Sequence, residues 1–301
     1  MLAGALAMAF VGGSVAVSGK LTSAPVLTTQ ALRYAVACLL LLAVARVRGR
    51  VVVRPRGSEW AWLLAVVGTG LVLFNLALVE GSEHAEPAVL GVAVASVPVV
   101  LAVVAPLMDG RRPSPVVLTA ALVVTLGAAL VQGVGRSDGV GLAWAAVVLA
   151  CEASFTLLAV PLLARHGAWG VSVHTTWLAA GVFAVAAAVR EGPAAVLQLT
   201  GRHVLAAGYL AVGVTAVAFV LWYSCVRRLG AARAGLLTGV APVAAAAMGT
   251  ALGEPAPRPL VWLGIATVAA GLVLGLPGGR GSARELGPPG VTDAPDRLNK
   301  V

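Results

Sequence analysis

Charge is what this chain has least of. Charged residues make up 11% of its 301 positions, where soluble domains carry about a quarter. Lysine is almost missing, with Lys20 and Lys300 the two examples. Hydrophobic residues reach 59% and mean hydropathy is +0.96, so no aqueous fold could hide the apolar surface. Cysteine is scarce as well. Cys38, Cys151 and Cys225 each lie inside an apolar run, which excludes a disulfide framework or a cysteine metal cluster and leaves three small packing residues. Enzyme motifs are missing too: there is no H-E-x-x-H, no Walker loop and no Cys/His set with metal spacing. Gly135-Arg136-Ser137-Asp138-Gly139 formally satisfies G-x-S-x-G, but in a short turn between apolar runs rather than at a strand-to-helix elbow. His84, His166 and His203 fall in connections. The expectation is a protein that is not an enzyme, with no metal, no cofactor and no nucleic-acid partner.

What is present is a succession of membrane-length apolar runs. A spanning helix needs about 20 apolar residues. Ten runs of roughly that kind can be drawn, at 2–19, 25–45, 60–79, 88–108, 115–133, 140–163, 171–189, 204–225, 234–252 and 260–276. The first has no basic residue ahead of it and no persuasive cleavage site behind it, so it reads as a spanning helix rather than a secretory signal. The connections are short and rich in Gly, Pro and Arg. Residues 277–301 read as a disordered tail.

The runs fall into two copies. Pro98 recurs as Pro242, Pro113 as Pro257, Pro115 as Pro259 and Gly127 as Gly271, each after 144 residues, which is a duplication signal. Five spans per copy is an odd number, so the second copy enters the bilayer upside down. The expected fold is therefore all-α and integral to the membrane: ten transmembrane helices as two inverted five-helix repeats, 1–133 and 134–276. Transporters use this architecture, with the site near the midplane where the copies meet.

The net charge of +9 fits a membrane topology. With the N-terminus in the cytoplasm, fifteen of the 21 basic residues fall inside, Arg46, Arg48, Arg50, Arg54 and Arg56 among them. Lys20, Arg136, Arg190, Arg202 and Arg258 fall outside, and Arg33 lies within a span. Both termini are then cytoplasmic. Glu80, Glu83 and Glu86 sit on the outer side and read as a solvated loop. Trp60, Trp62, Trp169 and Trp262 read as an interfacial belt. Phe219, Trp222 and Tyr223, with His174, read either as the lining of a cavity for an amphipathic organic solute or, for Trp222 and Tyr223, which lie just before Arg227 and Arg228, as part of that belt.

Several segments carry a family resemblance. They are Gly12-Gly13-Ser14 leading to Lys20, the stretch from Pro25 to Arg33, "ASVPVV" at 95–100, "PLMDGRRPSP" at 106–115 and "GVAPVAAAAMGTALGEPAPRP" at 239–259. Over residues 1–276 the chain resembles the EamA-like members of the drug/metabolite transporter superfamily. The resemblance implies in each copy a proline within the fourth helix, an acid just past it and a glycine near the end of the fifth. Pro98, Asp109 and Gly127 fit the first copy, and Pro242, Glu254 and Gly271 the second. Asp109 stands where glutamate is more usual. Gly12 stands where many relatives carry a tryptophan bordering the cavity.

Charges inside spans mark candidate sites, because each costs about 2.5–3.5 kcal/mol on insertion scales. Glu152 lies at the centre of its run with Phe155 and Thr156 on its helical face. It reads as a proton-binding carboxylate or, alternatively, as a structural acid. Arg33, with Thr29 and Gln30 one turn earlier, reads either as a ligand for anionic groups or as a packing strut; a pairing with Glu152 is an attractive option. His174 and Trp177 share a face, and Ser14 and Ser18 complete the polar set. Pro98 and Pro242 each remove a helix donor and are read as hinges. Gly235 with Gly239, and Gly271 with Gly275, form G-x-x-x-G faces that suit packing within one monomer rather than a dimer.

The expected function is secondary active transport of a small organic metabolite or drug, as an exporter or exchanger working by alternating access. It would operate in a bacterial inner membrane, among lipids, with Glu152 as the acid able to couple a proton. The alternatives are a lipid or lipid-linked-sugar flippase and an integral-membrane enzyme acting on lipid-linked substrates.

Overall fold

Helix accounts for nearly all of the computed structural model, which describes residues 1–18, 24–251 and 257–276. Ser18 is described in its backbone only, and Lys20, Glu254 and the 277–301 segment lie outside the described residues. Among those described there is no strand, only an isolated bridge between Ala85 and Ser137. The apolar runs become α1 (Leu2–Ser18), α2 (Val26–Val47), α3 (Glu59–His84), α4 (Pro87–Met108), α5 (Pro115–Gln132), α6 (Gly139–Leu157), α7 (Val160–Arg190), α8 (Gly201–Leu229), α9 (Ala231–Ala251) and α10 (Pro259–Gly275). The eight helices α2 to α9 are each long and apolar enough to cross a bilayer, while α1 and α10 are shorter apolar helices. Leu39, Val185, Leu205 and Val273 are exposed on the outside of the bundle, where lipid takes the place of water.

Helix boundaries follow local chemistry. Pro87, Pro115 and Pro259 open α4, α5 and α10, where the missing N–H costs nothing. Asp138, in the formal G-x-S-x-G turn, caps α6 by accepting Gly141 N–H at 2.7 Å. A longer-range cap holds α2: the Glu191 carboxylate, at the end of α7, accepts Leu27 N–H and Thr28 N–H, each at 2.8 Å, and the Thr28 hydroxyl at 2.6 Å. Between α6 and α7 the backbone stays right-handed through Leu158 and Ala159. The α6 rod therefore continues to His166, and Gly167, at φ 62°, turns the chain back. The rest of α7 runs from there to Arg190.

Across the bundle, helices pack on partners five places away. α2 lies on α7, α4 on α9 and α5 on α10, while α1 lies along α8 and α9, and α3 along α6. The closest approach is between α5 and α10. A Cβ on Gly127 would meet Val268 N at 2.6 Å and Gly264 O at 2.8 Å, and one on Gly271 would meet Val124 N at 2.9 Å. Gly235, Gly239 and Gly275 similarly face Leu101, Val124 and Leu236 of this same chain.

Irregularities recur in the two halves. A π-helical stretch interrupts α3 at Gly68–Leu73 and another interrupts α8 at Leu210–Val217, and Val217 follows Leu73 by 144 residues. The helix breaks at Ser96 in α4 and tightens into a 3-10 turn at Leu237–Gly239 in α9. Pro98 and Pro242 both lie within the first three residues of the helical segment after the break.

Three expectations are corrected. Trp222 and Tyr223 are not in an interfacial belt: they are 3% and 0% exposed, inside the main apolar core. His166 is not in an open connection but buried in the α6–α7 rod, and His203 is buried in the first turn of α8. Glu80 and Glu83 belong to the last turns of α3, and only Glu86 lies beyond it. Glu86 is clamped by Arg136 at 2.8 Å, and that guanidinium holds the Glu86 carboxyl below the ordinary carboxylate range.

Candidate functional site

Glu152 lies in α6, thirteen residues after Gly139 and five before Leu157, and the right-handed backbone runs on for fourteen residues beyond it to His166. Its helical neighbours Val148, Phe155 and Thr156 are all buried, which turns the carboxyl toward the interior of the bundle while leaving it half-buried rather than sealed. Among the described residues Glu152 has no hydrogen bond and no ion pair. The groups around it are aromatic. Phe155 packs on Phe219 and Tyr223, with ring centroids 4.9 and 5.2 Å apart. The Tyr223 hydroxyl donates to Phe155 O at 3.4 Å, and Trp222 Nε1 donates to the Thr156 hydroxyl at 3.0 Å. The spacing of Glu152, Phe155 and Thr156 could be read along one helix. The partners on α8 could not, because adjacency to Arg227 masked the inward face of Trp222.

Arg33 does not pair with Glu152. Its Nε donates to the Thr215 hydroxyl at 2.7 Å and its NH1 to Gln30 Oε1 at 3.4 Å. Gln30 Nε2 in turn donates to Asn75 Oδ1 at 2.6 Å, and Asn75 Nδ2 to Leu71 O at 2.6 Å. Leu71 and Thr215 lie in the two π-helical stretches. One polar chain rooted on α2 therefore reaches both irregular segments. A guanidinium cannot neutralise itself, and here it is held by neutral acceptors.

His174 and Trp177 form a separate group. Trp177 Nε1 donates to His174 Nδ1 at 3.2 Å, His174 Nε2 bonds Val53 O at 2.8 Å, and the His174 ring meets His166 edge-on at 5.2 Å. The 48–58 link is therefore pinned to α7. His166 Nε2 lies 3.1 Å from Glu59 Oε2, which also takes an Arg165 guanidinium N–H and accepts Arg56 N–H at 2.8 Å. Gln30 and Arg33 correspond to His174 and Trp177 at the 144-residue offset, and both pairs are bonded along their own helix. The structure thus brings Glu152, Phe155 and Thr156 together and sets Arg33 and the His174 pair apart from them. Ser14 is spent on its own helix, donating to Val11 O at 2.6 Å. A Cβ on Gly12 would collide with Ala241 O of α9, so the glycine at this position lets α1 and α9 touch. Clusters of His, Cys, Asp and Glu able to hold a metal are not found among the described residues.

Known proteins agree with this architecture. A curated relative described as the uncharacterized transporter YetK, from Bacillus subtilis strain 168, is 29% identical over 281 residues, covering 89% of this chain and 84% of its own. A solved structure described only as the crystal structure of a protein superposes with a TM-score of 0.78 at 19% identity, covering 91% of this chain and 96% of that one. It is similar in fold. The family model for EamA-like transporters matches twice, over residues 1–132 and 139–276. The chain is a multi-pass membrane protein and belongs to the EamA-like transporter family.

Proposed function

We propose that the protein is a secondary active transporter that moves a small organic metabolite or drug out of a bacterial cell, or exchanges it, by alternating access. It works as ten membrane helices in two inverted five-helix copies, with both termini on the cytoplasmic side of the inner membrane. The double match to the family and the recurrence of irregular segments at one offset support the inverted repeat. The observation that carries the coupling step is Glu152, an acid within α6 that faces the interior beside aromatic side chains with no ion-pair partner among the described residues. Such a carboxyl has to face water, a cargo or a proton. Release of the proton would leave a charged site, and uptake a neutral one, which biases the two access states differently.

The test is accumulation in sealed proteoliposomes under an imposed proton gradient, with cargo found by comparing metabolites exported with and without the protein. A water-soluble cargo accumulated only with the gradient supports the reading. Movement of a lipid between leaflets, with no soluble cargo, supports a flippase instead.

A further inference from the structure

The 144-residue offset lets the two ends of the molecule be compared position by position. At the end where α7 hands over to α8, a cavity of about 700 Å³ has Val17 of α1 and Arg202, His203, Leu205, Ala206 and Tyr209 of α8 in its lining, with His203 and Ala206 buried and Leu205 on the outside of the bundle. The corresponding positions in the other copy are Glu59, Trp62 and Ala65 of α3, with the end of the α6 rod standing in for the end of α1. That place is shut. Glu59 takes a guanidinium N–H of Arg165 and lies 3.1 Å from His166 Nε2. Arg165 also donates to Arg54 O at 3.0 Å. Every one of these contacts joins the first copy to the second. The Arg165 and Glu59 side chains are 34% and 21% exposed, so water reaches the pair and its rupture costs far less than that of a sealed one.

We propose that Glu59, gripped by Arg165 and His166, is the gate that closes the cytoplasmic mouth. The proposal rests on the transporter reading. In an inverted repeat, one end opens as the other closes because the copies exchange conformations. The clamp sits where that exchange requires a contact to break. Glu59, Arg165 and His166 therefore act on access and leave the site around Glu152 untouched.

The experiment needs no cargo. Cys38, Cys151 and Cys225 are replaced by alanine, one cysteine is introduced at Ala65, and labelling by a membrane-impermeant maleimide is timed in inside-out vesicles. The expected result is slow labelling of Ala65→Cys in the parent. Adding Glu59→Gln should speed it by about fivefold, the scale expected when a partly exposed ion pair is lost from one of two states. Arg165→Gln should do the same, and the reversal Glu59→Arg with Arg165→Glu should restore the slow rate. Ala65→Cys labelling that is indifferent to both neutral variants while they elute as folded protein overturns the gate. The same acceleration in a protein that moves no soluble cargo would uphold the gate and sink the transporter reading.

Discussion

A carboxyl in mid-membrane costs about 2.5–3.5 kcal/mol to insert, and Glu152 makes no ion pair among the described residues to offset that cost. Replacing it separates charge from shape. Glu152→Gln should abolish proton-driven accumulation while leaving expression, and exchange without a gradient, intact; Glu152→Asp should retain part of the activity. Accumulation by the Gln variant with unchanged pH dependence would make Glu152 a structural acid. The cost of charge made Glu152 and Arg33 legible in the sequence. Their partners were not, since Thr215 lies 182 positions from Arg33 and no local spacing reports a contact between helices. Glu191 went unnoticed for the same reason. Its three hydrogen bonds to the start of α2 predict that Glu191→Gln lowers stability by about 1–2 kcal/mol, read as an earlier unfolding midpoint in detergent. An unshifted midpoint would mean that water caps α2 equally well.

At the scale of the element, the prolines and glycines were visible one by one, but their geometry was not. Pro98 and Pro242 read as kinks, and each follows an irregularity of its helix, a turn at Ser96 in α4 and a 3-10 stretch at Leu237–Gly239 in α9. A proline there excludes a backbone bond reaching back into the irregularity. Pro98→Ala and Pro242→Ala should therefore leave the protein inserted and slow turnover by about threefold to tenfold through a stiffer joint. Wild-type rates at matched abundance would leave the joints without a role in the cycle. The paired π-helical stretches had no sequence signal; the α2 polar chain reaches the first at Leu71 O through Asn75 and the second at the Thr215 hydroxyl through Arg33, contacts between helices that local spacing does not report. Between α5 and α10 the constraint is steric. Gly127→Ala would drive a methyl group into Val268 N and Gly264 O, and since backbone cannot rotate aside, destabilisation of about 1–3 kcal/mol is expected in unfolding measurements. A neutral result would show that α10 shifts freely.

The whole molecule was the most legible scale, because its two determinants are additive along the chain. Apolar length located the eight membrane-length helices, although α7 starts at Val160 rather than at 171, and the repeated prolines gave an offset that also relates paired positions of α2 and α7. Orientation adds a third determinant that no packing contact reports. Basic residues resist translocation, so the side rich in arginine is expected in the cytoplasm. That side carries the 48–58 link, whose Arg50 lies over the Trp169 ring at 5.2 Å and whose Val53 carbonyl is held by His174. The link is thus fixed to the second copy as well as charged, and inverting the topology would carry both copies' arginines across together. A cysteine placed at Gly49, an exposed turn position with open space around it, reports the side at the cost of local strain, because φ there is 60°. In intact cells it should resist an impermeant thiol reagent and label only after the membrane is permeabilised. Efficient labelling before permeabilisation would invert the topology, and with it the direction in which the Glu59 clamp faces.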